Sequence, residues 1–161
     1  MTYAQVIQQL KSKRSPRNIA GMARFGINSK NTLGISVVEL RKLGKQIGAD
    51  HALALKLWAS GFHEARILAS IVDEPERVTV AQMERWVKDF DSWDVCDQTC
   101  MNLFDKTKFA HQKAMAWSQR EREFEKRAGF ALMAVLAVHE RDARDAAFEK
   151  FLPAIVRGAR D

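Results

Sequence analysis

The chain has 161 residues, 47% of them hydrophobic, with a formal net charge of +6 and a pI near 9.5. That length suits one compact domain or a short repeat array, and no apolar run approaches the roughly 20 residues of a membrane-spanning helix. The basic balance favours an acidic partner, nucleic acid first and an anionic membrane surface second.

Charge is unevenly spread. Residues 1–66 hold 11 Lys/Arg against 3 Asp/Glu, residues 67–105 hold 3 against 9, and residues 106–161 hold 12 against 8. An acidic band therefore lies between two basic flanks. Cys96 and Cys100 are four apart, which matches neither a thioredoxin-like pair nor a zinc ribbon. With His51, His63, His111 and His139 scattered, no metal-ligand cluster forms in the sequence. Buried reduced thiols in a cytoplasmic protein are the expectation; the chain carries no signal-peptide pattern.

Helix start signals recur along the chain, and strand patterns do not. Thr2 and Gln5 form a capping box ahead of Val6, Ile7 and Leu10, and that helix should end before Ser15-Pro16. A short helix over about Arg17 to Arg24 precedes a loop-like stretch, 25–35, whose two glycines mark turns. Ser36 and Glu39 cap the next helix, with Val37, Leu40, Leu43 and Ile47 as its apolar stripe and Gly48 at its end. Helices over about Asp50 to Ala59 and Phe62 to Val72 follow, then one capped by Thr79 and Gln82 bearing Val80, Met83, Val87 and Phe90.

The second half continues in kind. A helix of about Ser92 to Phe104 is followed by another near Lys108 to Trp117. Ser118 and Glu121 read as a capping box opening a long helix with Phe124, Ala128, Leu132, Val135 and Val138. Asp142 is expected to cap a last helix carrying Phe148, Leu152, Ile155 and Val156, which Pro153 should kink or frame. Short amphipathic helices joined by short connections make a bundle or a solenoid of stacked pairs. The helix lengths favour the solenoid, so the expected fold is all-α, an α-α superhelix of stacked helix pairs forming a single domain over 1–161.

Chemistry concentrates in Phe90-Asp91-Ser92-Trp93-Asp94-Val95-Cys96-Asp97-Gln98. In a helix, Trp93 and Asp97 share one face, and an indole beside a carboxylate can receive a cation. The alternative is that Trp93 is core and the acids are a solvated helix start. No nucleophile motif or phosphate-binding glycine loop accompanies them. His63-Glu64-Ala65-Arg66 lacks the second histidine of a metal helix, which leaves His63 a packed or capping residue. Lys106, Lys108, Lys113, Arg120, Arg122, Lys126 and Arg127 follow the acidic band and could pair with phosphates. Arg127, three after Phe124, is either a packing and salt-bridge residue or a phosphate clamp.

The ordered set Met22-Ala23-Arg24-Phe25-Gly26-Ile27, Glu39-Leu40-Arg41-Lys42-Leu43, Leu57-Trp58 with His63-Glu64-Ala65-Arg66, the central Phe90–Asp97 stretch, and Phe124-Glu125-Lys126-Arg127-Ala128 resembles the bacterial DNA alkylation repair family, the AlkD-like HEAT-repeat alkylpurine DNA glycosylases. The resemblance covers essentially the whole chain. It implies a curved helical array that holds duplex DNA on its concave face and excises cationic N3- and N7-alkylated purines, without cofactor, metal or membrane and as a monomer. Asp97 would be the catalytic carboxylate and Trp93 the aromatic facing the damaged nucleotide. Arg127 would contact a backbone phosphate, with Lys126 and Arg120 expected to join it. A carboxylate placed beside a cleaving glycosidic bond stabilises the oxocarbenium-like charge that develops.

One departure stands out. The family carries a further tryptophan roughly forty residues, about one repeat, beyond the arginine, and that position falls past Asp161. The expectation is a chain lacking the C-terminal repeats, capped weakly by Arg157, Arg160 and Asp161. The alternative function is a non-catalytic helical module binding DNA or a protein partner.

Overall fold

The computed structural model describes residues 1–142 and 144–160, and every regular element among them is helical. They divide into two compact units, Met1–Val78 and Thr79–Asp161.

The first unit contains α1 (Tyr3–Ser12), α2 (Pro16–Arg24), α3 (Val37–Ile47), α4 (His51–Ala59) and α5 (His63–Val72), then a 3₁₀ turn at Pro75–Arg77. Its boundaries follow local chemistry. Thr2 and Gln5 close a reciprocal capping box on α1, Ser15 caps α2 with Pro16 in the first turn, and Asp50 caps α4 through the Leu53 N–H. Ser36 accepts from the Glu39 N–H at 3.3 Å, and the Glu39 carboxylate returns to Ser36, taking its hydroxyl at 3.3 Å. Val6, Leu10, Leu40, Leu57 and Leu68 are fully buried, so α1, α3, α4 and α5 share a core at helical spacing. α2 buries none of its residues.

The loop before α3 is held by a residue from far along the chain. Glu64 is fully buried, and its carboxylate accepts from the N–H groups of Leu33 at 2.8 Å, Gly34 at 2.6 Å and Ile35 at 3.3 Å. Gly34 is required there: its φ is +81°, and a Cβ would lie 2.5 Å from the Ser15 carbonyl oxygen. His63, beside Glu64, is buried, as a packed histidine would be.

The second unit contains α6 (Val80–Lys88), α7 (Trp93–Asn102), a 3₁₀ turn at Phe104–Lys106, α8 (Ala110–Trp117), α9 (Glu123–His139), α10 (Ala146–Glu149) and α11 (Leu152–Gly158). α7 stops two residues short of Phe104, which instead turns into an aromatic core with Trp86, Phe90 and Trp117 at ring-centre distances of 5.7–6.4 Å.

Three sequence expectations are corrected here. Ser118 and Glu121 do not open α9; Ser118 ends α8, its hydroxyl donating to the Met115 carbonyl at 2.8 Å, and α9 begins at Glu123 after Arg122. The reason is a close approach: a Cβ on Gly129 would lie 2.2 Å from the Ser118 backbone nitrogen, so the turn at Ser118 packs directly onto α9. The buried stripe of α9 is Ala128, Leu132, Met133 and Leu136, while Val138 is 63% exposed. The expected last helix is two: Asp142 caps nothing, α10 follows Asp145, and Pro153 sits in the first turn of α11, where its missing N–H is harmless. Phe151 and Ala154 are the buried residues of that end, whereas Leu152, Ile155 and Val156 are exposed. Asp161, expected to help cap the array, lies outside the described residues.

Candidate nucleic-acid site

α7 presents Trp93, Asp97 and Met101 at four-residue spacing on one face, with Asp94 and Gln98 beside them. α9 presents Arg127, Phe130, Ala131, Ala134 and Val135 at the spacing of a single helical face. Together these ten residues line a cleft of about 580 Å³. Its start is set by Ser92, whose hydroxyl pairs with Asp94, while Asp94 also accepts from the Val95 N–H at 3.0 Å. Asp94 therefore serves the helix start and Asp97, one turn later, faces the cleft.

The two cysteines fix the register. Cys96 and Cys100 are fully buried, and their thiols reach the carbonyls of Phe124 at 3.6 Å and Ala128 at 3.7 Å. Thiols four apart on α7 thus meet carbonyls four apart on α9. Asp97 follows Cys96 and Arg127 precedes Ala128, so the same register brings the acid to the base. Burial, reinforced by Cys96 and nearby carboxylates, pushes the Cys100 thiol well above its ordinary range. These are structural thiols.

Arg127 grips Asp97 with a fork, Nε to Oδ1 at 2.9 Å and Nη2 to Oδ2 at 2.7 Å. Its guanidinium also lies over the Trp93 ring, 5.9 Å from the centre. The hydrogen bonds to Asp97 hold Arg127 still more firmly in its charged form, against the opposing effect of partial burial. Trp93 is 38% exposed, so it is not a core residue. A carboxylate and an indole face at the mouth of a largely apolar cleft can stabilise a cation, and a guanidinium fork suits a phosphate. The described residues contain no cluster of three or more His, Cys, Asp or Glu able to hold a metal, and no helix among them is long and apolar enough to cross a membrane.

The family profile of the DNA alkylation repair enzymes matches residues 6–161. The chain belongs to that family. A solved structure, described as a member of "a new family of proteins related to the HEAT-like repeat DNA glycosylases with affinity for branched DNA structures", superposes with a TM-score of 0.84 at 18% identity. The match covers 96% of this chain and 66% of that one, so this chain spans just under two thirds of its neighbour's length. The fold is accordingly the HEAT-like helical repeat expected from the sequence. No curated protein matches.

Within this member of the DNA alkylation repair family, the other expected phosphate contacts lie elsewhere. Lys126, adjacent to Arg127 and turned about a quarter of the helix away, lines a separate cleft of about 290 Å³ with Ser118, Gln119 and Arg157. Arg120 has its fork on carboxylates, Glu84 at 2.7 Å and Glu125 at 2.9 Å, and lies over Trp117. Glu84 also accepts from Lys113 at 2.7 Å and from the Trp117 indole at 3.0 Å. Burial opposes its ionisation, but donors Lys113, Arg120 and Trp117 outweigh it and hold Glu84 at about 2. Much of the basic run after the acidic band is thus spent inside the unit. Sequence reasoning missed Glu84 because its partners lie 29 to 36 residues away. It also missed Met101 and Phe130, although helical spacing from Asp97 and Arg127 points to both.

Proposed function

We propose that this chain acts in DNA alkylation repair by glycosylase-type excision of cationic N3- and N7-alkylated purines from duplex DNA. The observation that carries the reading is the convergence of Trp93, Asp97 and Arg127 on one cleft, in a chain of the DNA alkylation repair enzyme family. Asp97 would stabilise positive charge as it moves from purine to sugar during cleavage, with little reorganisation of its surroundings. Trp93 would face the cation with its ring, and Arg127 would hold the adjoining backbone phosphate. Lys126 would reach another phosphate from its own cleft, whereas Arg120, committed to Glu84 and Glu125, is left to the scaffold. The decisive measurement is release of methylated bases from alkylated DNA by the wild type and Asp97→Asn. The variant is expected to lose at least about 10²-fold, matching a carboxylate worth roughly 3 kcal/mol in the transition state. Equal release by both proteins, or none by either, refutes the assignment.

A second reading is a non-catalytic module that binds DNA. It is favoured by the solved neighbour's stated affinity for branched DNA and by the mutual neutralisation of Asp97 and Arg127. Titrating junction and duplex DNA at rising salt separates the two. Tight junction binding with a steep salt dependence and no base release supports the module.

A further inference from the structure

Three of the residues lining the cleft, Trp93, Asp97 and Arg127, engage one another. Arg127 occupies both oxygens of Asp97 and the face of Trp93, which are the features a cationic ligand would use. Its guanidinium is an internal cation seated in the cation site. Asp94, the other carboxylate of the lining, is engaged by the Ser92 hydroxyl and the Val95 N–H. Met101, Phe130, Ala134 and Val135 offer no charge.

We propose that the cleft selects a ligand that brings both charges at once: a cationic nucleotide whose phosphate draws Arg127 away while its positive ring takes Asp97 and Trp93. This rests on the reading that the cleft receives alkylated purine nucleotides. A cation alone must expel the guanidinium and leave Arg127 without its acceptor. A phosphate alone must strip Asp97 of its partner. A ligand carrying both exchanges one ion pair for two, and the fork that fits a carboxylate fits a phosphate equally well. The two partners are mounted differently. Asp97 sits on a helix pinned to α9 by the Cys96 and Cys100 thiols, while the Arg127 side chain is 44% exposed and can swing without repacking a core. Arg127 is thereby a specificity gate, because a ligand lacking either charge meets a closed ion pair.

The test uses the full chain and three small probes in mildly acidic buffer, where a methylated guanine ring keeps its charge. These are 7-methylguanosine monophosphate with both charges, 7-methylguanosine with the cation alone, and guanosine monophosphate with the phosphate alone. Binding is followed by the Trp93 indole N–H and Arg127 Nε–H signals in nitrogen-15 NMR. The doubly charged probe is expected to bind at least about tenfold more tightly than either other probe, and it alone should move the Arg127 signal. In Arg127→Gln the nucleoside gains about tenfold and its disadvantage against the methylated nucleotide largely disappears. Arg127→Lys keeps the charge without the fork and should retain a smaller preference, which covers the case in which the glutamine variant misfolds. Nucleoside binding to the wild type as tightly as the nucleotide overturns the proposal. So does a nucleoside that gains nothing in a folded Arg127→Gln, or the absence of any probe response at millimolar concentration. Exchange without base release from alkylated DNA defeats the glycosylase reading alone; base release with no discrimination among the probes defeats the gate alone.

Discussion

Asp97 and Arg127 meet through two hydrogen bonds, yet both side chains keep about a third or more of their surface in solvent, at 34% and 44%. Such a pair adds at most about 1 kcal/mol to stability, because water and salt screen it. Asp97→Asn should therefore melt close to the wild type, and its effect on base release or ligand binding then reports on the site rather than on folding; a thermal melt checks this. Buried single residues behave differently. Glu64 satisfies three backbone donors of the loop before α3, so Glu64→Ala should cost about 3 kcal/mol by stranding them. Hydrogen exchange at Leu33, Gly34 and Ile35 should accelerate in that variant well before global unfolding. Cys96 and Cys100 are inaccessible in the native unit, and neither should react with a maleimide until the chain unfolds.

The helices of the second unit are held together by two devices that sit on opposite kinds of chemistry. Gly129 lets the turn at Ser118 lie against α9, so Gly129→Ala should destabilise by about 3 kcal/mol through forced separation of α8 and α9. A chemical-denaturation midpoint is sufficient to test it. Glu84 gathers Lys113, Trp117 and Arg120 from α8 and the turn after it. Held at about 2 against an ordinary 4.5, it contributes stability that is fully present above pH 4.5 and disappears as pH falls toward 2. Glu84→Gln should thus lower the melting temperature at neutral pH by removing about 2 kcal/mol. The gap to the wild type should narrow steadily on acidification through that window; a gap independent of pH contradicts the ion network.

Across the whole molecule, charge is partitioned rather than uniform. Along the sequence two basic flanks border an acidic band, but part of the second flank is absorbed by Glu84 and Glu125. Fewer cations are consequently available to an acidic partner than the count of lysines and arginines implies. Removing Lys126 should lower the slope of log affinity against log salt by about 1 if it meets phosphate, while removing Arg120 should leave that slope unchanged and lower the melting temperature. Measuring duplex binding across a salt series for both variants distinguishes a ligand contact from a scaffold contact.

Helix positions, most of the caps and the pairing of Trp93 with Asp97 were legible along the chain because each depends on residues three or four apart, a spacing that a helix turns directly into adjacency. The start of α9 and the division of the last helix were not, since a close approach at Gly129 and the packing of Phe151 and Ala154 overrode local capping signals. Whether Arg127 packs or binds was open in the sequence. The tertiary structure supplied its resident partner by setting the register of α7 on α9, through contacts 28 residues apart. The sequence by itself determined an all-helical array with Trp93 and Asp97 on one face of α7. Only the folded chain decided that this face is already occupied, because the distance between two residues on different helices is a property of packing, not of spacing.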